Sequence, residues 1–410
     1  MQASLAGRGL LLKQLDVKNM AKKKFQEILD RLPALLSQAG SCVPALLSNL
    51  VLIGEIPSPT FGEERRVRFI SDRFAENGLV SGSVDEKGNA VAVLPGGRGD
   101  RSILLVAHAD TGAPANVDHT ILIEPGQVTG PGVANNSLGV AVLAALPHFL
   151  EEMDVALDAN LIFLAASRNL ARGNLEGLRF FLQNNSQPVD AGICIQGTQL
   201  GHLSIQSLAM MRGEITCTVP EEYNWTRFQA TGAIRTINEV INRINEIPLP
   251  NKPRSNIAFG SINGGSGFHR VARHAVLRFE VRSEDDAMIR KIVRQIRDIC
   301  EDVSSQKESR IDLDVFAERK AGGIPFAHPL SRRARKILEI LEVPPRVSPS
   351  TSEIFAFIER GIPALSLGIS TGESLAFPDE RVDVPPMAAG MAQLAALLLA
   401  IDGGFCDEHP

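Results

Sequence analysis

Three short apolar runs constrain the fold of this chain more than any other feature. They lie at residues 101–111 (RSILLVAHADT), 159–167 (ANLIFLAAS) and 190–197 (DAGICIQG). Each run is almost uninterrupted by polar residues until its carboxyl end, which is typical of strands buried on both faces of a helix-covered sheet. Helical patterns separate the runs. The sequence therefore predicts a layered α/β domain with its functional loops at the carboxyl ends of the strands.

The pattern changes after about residue 205. Elements then follow in the order strand–helix–strand–strand–helix–strand, from RGEITCTV at 212–219 to RIDLDVFAER at 310–319. This is the order of the ferredoxin-like split motif. We therefore predict an N-terminal extension at 1–19, a discontinuous α/β domain at 20–205 and 323–410, and an inserted ferredoxin-like domain at 206–322. Met20 begins an amphipathic helix and is a plausible alternative start.

Composition narrows the possible partners. The length of 410 residues suits two or three domains, and the net charge of −5 provides no basic surface for nucleic acid or an anionic membrane. The five cysteines form no CxxC pair, which argues against disulfides and a thiolate zinc site and favours a reducing cytosol. No apolar stretch approaches the roughly 20 residues that cross a bilayer. These features predict a cytoplasmic protein without nucleic-acid or membrane partners.

Several separate motifs occur in a recognisable order from about Met20 onward. They are IPSPTFGEE, LLVAHADT, GPGVANNSLG, RNLARG and IQGTQLG, then the inserted domain, then GIPALSLG and FPDE. This order resembles metallopeptidase family twenty, the co-catalytic zinc exopeptidases and amidohydrolases such as tripeptide aminopeptidase, glutamate carboxypeptidase and aminoacylase. The resemblance implies a zinc-exopeptidase-like (phosphorylase/hydrolase-like) three-layer α/β domain with an inserted ferredoxin-like α+β dimerisation domain.

Members of that family hold two zinc ions with five protein ligands, and a glutamate acts as the general base. The resemblance implies that His108 is a matched metal ligand and that Asp110 is the carboxylate that orients its imidazole. The remaining positions depart from the pattern. The general base falls on Arg168, and the other four ligand positions are substituted: they are Asn135, Asn169, Gln196 and Ala376.

These substitutions predict that the two-zinc site is dismantled. Asn and Gln are neutral and are weak zinc ligands, so they do not offset the metal charge. A guanidinium at Arg168, held about 5 Å from a divalent ion, would repel it by about 7 kcal/mol at an effective dielectric of about 20. We therefore expect no cofactor, or zinc if other residues have rebuilt the site.

Three functional hypotheses remain open. The first is a non-catalytic homologue with a binding or scaffold role, and the second is a metal-dependent exopeptidase or amidohydrolase that acts on peptides or N-acyl amino acids. The third is a purely structural dimer. The sequence leaves open whether the protein is an enzyme, because fold alone does not imply function.

The former active site also supplies ligand-binding candidates, which are Arg168, Asn135, Gln196 and Glu353. We expect Arg168 to lie buried among the amides, with Glu353 or the carboxylate of a small ligand or peptide as its partner. The resemblance further implies a homodimer joined through the inserted domain. In that domain, Asn224 and Trp225 fall where family members place a polar cluster.

Overall fold

The computed structural model describes residues 2–221, 231–268, 270–373 and 380–408, with side chains from residue 23 onward. The predicted site position Ala376 and the predicted interface positions Asn224 and Trp225 lie outside these residues. Contacts divide the chain into two compact units. Unit 1 comprises Met1–Gln206 and Gly323–Pro410, and unit 2 comprises Ser207–Gly322.

The α-helices of the described residues are α1 (Gln2–Gly54), α2 (Glu64–Glu76), α3 (Leu138–Glu152), α4 (Glu176–Asn184), α5 (Ala233–Asn245), α6 (Asp286–Lys307), α7 (Pro329–Ile340), α8 (Ile354–Ile358) and α9 (Met387–Asp402). The strands are β1 (Val80–Val84), β2 (Ala90–Leu94), β3 (Ser102–His108), β4 (Leu122–Glu124), β5 (Gln127–Thr129), β6 (Asn160–Ala166), β7 (Ala191–Gln196), β8 (His202–Ser204), β9 (Gln206–Ser207), β10 (Ala209–Thr218), β11 (Ser255–Gly264), β12 (His274–Ser283), β13 (Arg310–Arg319), β14 (Gly322–Gly323), β15 (Arg346–Val347), β16 (Ala364–Gly368), β17 (Gly372–Glu373) and β18 (Arg381–Asp383).

Unit 1 is built on an eight-stranded mixed sheet in the order β1-β2-β6-β3-β7-β16-β8-β15. Its centre, β6-β3-β7-β16, is parallel throughout. All seven residues of β3 are buried, as its apolar run predicts. Because parallel neighbours end at the same edge, the residues that follow β3, β6 and β7 are brought together.

Helices cover both faces of this sheet. Leu105 belongs to a hydrophobic core with α1, α3 and α9, whereas its neighbour Leu104 belongs to a second core with α4 and α8. Successive side chains of a strand point to opposite faces, so one strand serves both cores. The three-layer α/β fold predicted from the sequence is thereby confirmed. One detail differs, since α1 begins at Gln2 and not at Met20.

Unit 2 has the element order β10-α5-β11-β12-α6-β13 and an antiparallel sheet in the order β11-β12-β10-β13. The apolar positions of α5 recur every three or four residues, and Ile237, Val240 and Ile244 are buried. Strand β12 alternates between exposed and buried positions and supplies Leu277 and Phe279 to the same core. The predicted ferredoxin-like domain is confirmed.

Two helical segments are long and apolar enough to cross a membrane by length and composition, namely Lys23–Gly54 and Val133–Glu152. The expectation that no apolar segment reaches this length is therefore wrong. The apolar window of the second segment is 83% buried inside the protein, as in a core helix, so the finding is weak evidence for a membrane. All five cysteines are buried and free.

Candidate functional site

The side chains named from the sequence converge at the carboxyl edge of the parallel strands. His108 ends β3, Gln196 ends β7, and Asn169 lies three residues after the end of β6. Asn135 lies in the turn that precedes α3, and Glu353 directly precedes α8. The order β6-β3-β7 makes these three strands neighbours, so the convergence follows from the sheet topology.

His108 has both ring nitrogens engaged. Nδ1 lies 2.8 Å from the backbone oxygen of Asp110 and 3.2 Å from its Oδ1. Nε2 lies 3.0 Å from Oδ1 of Asn135 and 3.9 Å from Oε1 of Glu353. Since each nitrogen faces an oxygen, neither offers a free lone pair to a metal ion in this arrangement.

The charge of the imidazole follows from these neighbours. Burial alone would lower the pKa of His108, but the hydrogen bond to Asp110 and the negative charges of Glu353 and Asp110 raise it to about 9. Burial likewise opposes ionisation of Asp110, but its hydrogen bond and charge interaction with His108 hold the pKa of that carboxyl below its ordinary value. The pair is therefore an imidazolium beside a carboxylate at neutral pH.

Asp110 also fixes the loop that follows β6. Its Oδ2 accepts hydrogen bonds from Oγ1 of Thr60 at 2.7 Å, from the N–H of Asn169 at 3.0 Å and from the N–H of Leu170 at 2.8 Å. Oδ2 is therefore well satisfied, whereas Oδ1 has only the 3.2 Å ion pair with Nδ1 of His108. Asp110 thus orients His108 and positions Asn169 together.

Glu353 is the centre of a second network. Its side chain is 2% exposed, and its two oxygens accept hydrogen bonds from two amides. Nδ2 of Asn169 donates to Oε1 at 3.0 Å, and Nε2 of Gln196 donates to Oε2 at 2.9 Å. A carboxylate at either donor position would repel Glu353, whereas an amide stabilises it. Asn169 and Gln196, two of the site positions named from the sequence, are therefore hydrogen-bond donors to an internal carboxylate.

Arg168 does not lie where the sequence predicted. Its side chain is 33% exposed, and Nη1 forms an ion pair with Glu176 at 3.4 Å. The guanidinium also stacks on the ring of Phe61 at 5.8 Å. The expectation of a buried Arg168 paired with Glu353 is therefore wrong. The cause is local, because the backbone of Arg168 has a left-handed φ of 52° and the chain turns sharply there.

Two buried glutamates of the site, Glu63 and Glu380, were not among the residues predicted from the sequence. Oε1 of Glu63 accepts the N–H of Arg168 at 2.8 Å, and Oε2 of Glu380 accepts the N–H of Asn135 at 3.1 Å. Burial raises the pKa of Glu63 and of Glu380, although these N–H groups oppose the rise. Their positions in the IPSPTFGEE and FPDE motifs were the available signal.

Arg66 was also missed. It is fully buried and donates to the carbonyl oxygens of Gly54 and Ile56 at 2.9 Å each, and to Oγ of Ser137 at 3.1 Å. Burial lowers the pKa of Arg66 to about 10, so it remains a cation at neutral pH. Its position four residues before the buried Ile70 places it on the buried face of α2, which the helical period could have shown.

The donor set does not fit the two zinc ions that the resemblance implies. The amide N–H groups of Asn169 and Gln196 point at Glu353, so a cation there would meet their positive ends. Oδ1 of Asn169 is buried without a hydrogen-bond partner, which leaves one neutral oxygen. Within residues 23–221, 231–268, 270–373 and 380–408, no group of three or more His, Cys, Asp or Glu could hold a metal ion.

The fold and this site define a class of protein, that of exopeptidase-like proteins with an inserted dimerisation domain. Residues 224–308 match the family model of the M20 peptidase dimerisation domain. No curated protein matches the sequence significantly. Solved structures of M20-type peptidases match the chain over most of its length.

Three of these structures illustrate the match. A tripeptidase from Staphylococcus aureus is 18% identical, with 88% of this chain and 98% of that chain covered and a TM-score of 0.70. The dipeptidase Dug1p from Saccharomyces cerevisiae is 12% identical, with 92% and 99% covered and a TM-score of 0.77. YXEP from Bacillus subtilis, described as a dinuclear metal binding peptidase from the M20 family, is 15% identical, with 88% and 98% covered and a TM-score of 0.60. The resemblance stated from the motifs is thus confirmed, and the chain has the fold of the M20 peptidases.

Proposed function

We propose that this protein is a non-catalytic homologue of the M20 peptidases that uses the peptidase fold for binding or as a scaffold. One observation carries the proposal, namely the paired donation of Asn169 and Gln196 to the buried carboxylate of Glu353. The family resemblance implies that the side chains at these two positions bind metal ions. Here the two amides instead donate hydrogen bonds to the same carboxylate, that of Glu353. Both oxygens of the buried Glu353 carboxylate are therefore satisfied by side chains of the protein itself.

The charge balance supports the same proposal. The family general base is a glutamate, and its position here carries Arg168, which pairs with Glu176 on the partly exposed side of the loop. Since Glu63 accepts backbone N–H groups, its carboxylate serves the loop structure. No residue at this edge of the described sheet combines a free carboxylate with an adjacent metal site.

The direct test is metal content together with activity. After dialysis against zinc, cobalt or manganese and removal of free metal, the purified protein should carry no stoichiometric metal by elemental analysis. It should hydrolyse neither tripeptides nor N-acyl amino acids. Two bound metal equivalents would contradict the proposal and favour the alternative, a metal-dependent exopeptidase or amidohydrolase with a rebuilt zinc site.

We further propose that the protein is a cytoplasmic homodimer joined through unit 2. The match of residues 224–308 to a dimerisation domain supports the dimer, and the strands β11 and β13 leave two sheet edges open within unit 2. The five free cysteines are consistent with a reducing compartment. A monomeric mass by light scattering at micromolar concentration would contradict the dimer.

A further inference from the structure

A cavity of about 440 Å³ opens in unit 1 at the edge of the sheet opposite the former active site. It lies at the amino ends of three parallel strands, since its wall includes Arg101, Ala191 and Ala364, which precede or begin β3, β7 and β16. A seven-residue strand is about 20 Å long, so this cavity is separate from the site around His108. The volume is within the range of pockets that hold small organic molecules.

The walls of the cavity are mostly apolar. Ile324, Ile362 and Ile401 line it, together with two prolines of the neighbouring loops, Pro325 and Pro363. Ile401 is 2% exposed, so this part of the wall belongs to the folded core. Burial of the apolar part of a ligand against these walls removes apolar surface from water and therefore favours binding.

The polar groups of the cavity carry an excess of negative charge. Arg101 is already neutralised, because its two terminal nitrogens bind the carboxylate of Asp407 at 3.0 and 2.6 Å. Asp190 and Glu408 add two further carboxylates, and the charge of Asp190 also helps to raise the pKa of Arg101. Among the described residues that line the cavity, one guanidinium against three carboxylates leaves an excess of two negative charges.

The remaining titratable side chains do not offset this charge. Nδ1 of His328 accepts the N–H of Leu330 at 3.1 Å, so the ring carries its proton on Nε2, which lies 3.5 Å from Oε1 of Glu408. Burial lowers the pKa of His328, which keeps the ring neutral. Cys406 is a buried thiol whose pKa burial raises to about 12, so it is also neutral.

We propose that this cavity binds a small organic cation whose ammonium group faces the carboxylates of Asp190 and Glu408 and whose apolar part lies against Ile324, Ile362 and Ile401. An apolar wall beside uncompensated carboxylates favours an amine over an alcohol or an acid of the same shape. The proposal does not depend on the metal content of the former active site.

The experiment compares three probes that share one apolar body and differ in charge, which are 4-phenylbutylamine, 4-phenylbutanol and 4-phenylbutanoate. Calorimetric titration of the full chain should show that the amine binds at least about ten-fold more tightly than the carboxylate. Asp190→Asn keeps the acceptor for the N–H of Ser102 and removes only the charge, so it tests the electrostatic part cleanly. Asp190→Asn and Glu408→Gln should each weaken amine binding about five-fold.

Two further variants complete the design. Ile362→Trp fills the cavity and should abolish binding of all three probes, while Asp72→Asn removes an exposed carboxylate on α2, outside the cavity, and should change nothing. Equal or tighter binding of the alcohol or the carboxylate would overturn the proposal. So would an amine affinity that both charge variants leave unchanged, or no amine binding at millimolar concentration. If Ile362→Trp fails to fold, the two exposed charge variants still decide the question.

Discussion

Replacing Gln196 by glutamate tests the reasoning about the candidate site most sharply. A metal-free site predicts that the substitution lowers the stability of the fold, whereas a zinc site predicts that it raises the stability when zinc is present. In the wild type, Nε2 of Gln196 donates to Oε2 of Glu353 at 2.9 Å. Gln196→Glu has nearly the same shape, but it removes this donor and places a second carboxylate beside a buried one. If the site were a zinc site, the same change would restore a ligand.

The size of the effect follows from the geometry. Losing a hydrogen bond to a charged acceptor costs about 1.5–3 kcal/mol. Two carboxylates about 4 Å apart repel by about 4 kcal/mol at an effective dielectric of about 20, which is an upper value because the pair can share a proton and Gln196 is only half-buried. We expect Gln196→Glu to lower the free energy of unfolding by about 2–4 kcal/mol.

The matched control is Gln196→Met, which loses the hydrogen bond without adding charge and should cost about 1.5–3 kcal/mol. The pH dependence separates the two effects. A carboxylate pair binds protons more tightly when folded, so its pKa is raised and its penalty is largest at about pH 8 and shrinks towards about pH 5.5. The penalty of Gln196→Met should not change over this range.

The assay is urea unfolding in the presence of a chelator and then with added zinc. Under our reasoning, zinc leaves the stability of Gln196→Glu unchanged. A metal that bound the folded variant would raise its stability in proportion to the logarithm of the zinc concentration. The reasoning would be refuted if Gln196→Glu were as stable as the wild type in chelator. It would also be refuted if added zinc raised the stability of this variant.

Three further predictions concern Arg66, Arg168 and the oligomeric state. Arg66→Met should lower the free energy of unfolding by at least about 3 kcal/mol, since it removes hydrogen bonds to three carbonyl oxygens and one hydroxyl; the exposed Arg65→Met is its control, and equal effects of the two would contradict the assignment. Arg168→Ala should change stability by less than about 1 kcal/mol in the same assay, because its ion pair with Glu176 is partly exposed, and a larger loss would indicate a buried role. Light scattering should give twice the monomer mass of 44.2 kDa. A mass of 44.2 kDa at every concentration tested would exclude the dimer.

The fold was accessible from the sequence because its elements have strong periodicity. The uninterrupted run at β3 and the alternation at β12 each allow one structural interpretation, and the structure follows both. Several of the shortest elements, such as β17 and α8, were not predicted. Segments of this length contain too few positions for a period to be visible.

The candidate site could be predicted from the sequence only in part, for a different physical reason. Strand ends fix where a backbone position lies, and so Asn169 and Gln196 meet at one edge as expected. The direction of a side chain depends on local backbone angles and distant partners. The left-handed backbone conformation of Arg168 directs its side chain away from the amides. Glu353 accepts hydrogen bonds from the amides although it lies more than 150 positions further along the chain. Neither fact has a signature in the local sequence pattern.

The proposed function accounts for the three amides Asn135, Asn169 and Gln196 by one common cause. In a family site, acidic ligands lie close together because divalent ions neutralise them. Without metal, acids at positions 135, 169 and 196 would add to the negative charges of Asp110 and Glu353, and each close pair would cost about 4 kcal/mol at an effective dielectric of about 20. Amides at the same places keep the shape and remove that repulsion.

The amides also supply what a metal-free site needs. Asn169 and Gln196 donate to Glu353, and Asn135 accepts from His108, so each substituted side chain has a specific hydrogen-bonding task. Under the proposed function, this network has the structural role that metal ions play in a zinc site. If the proposed function is right, a chelator should leave the urea midpoint of the wild-type protein unchanged, because the amides and Glu353 stabilise each other without a metal ion.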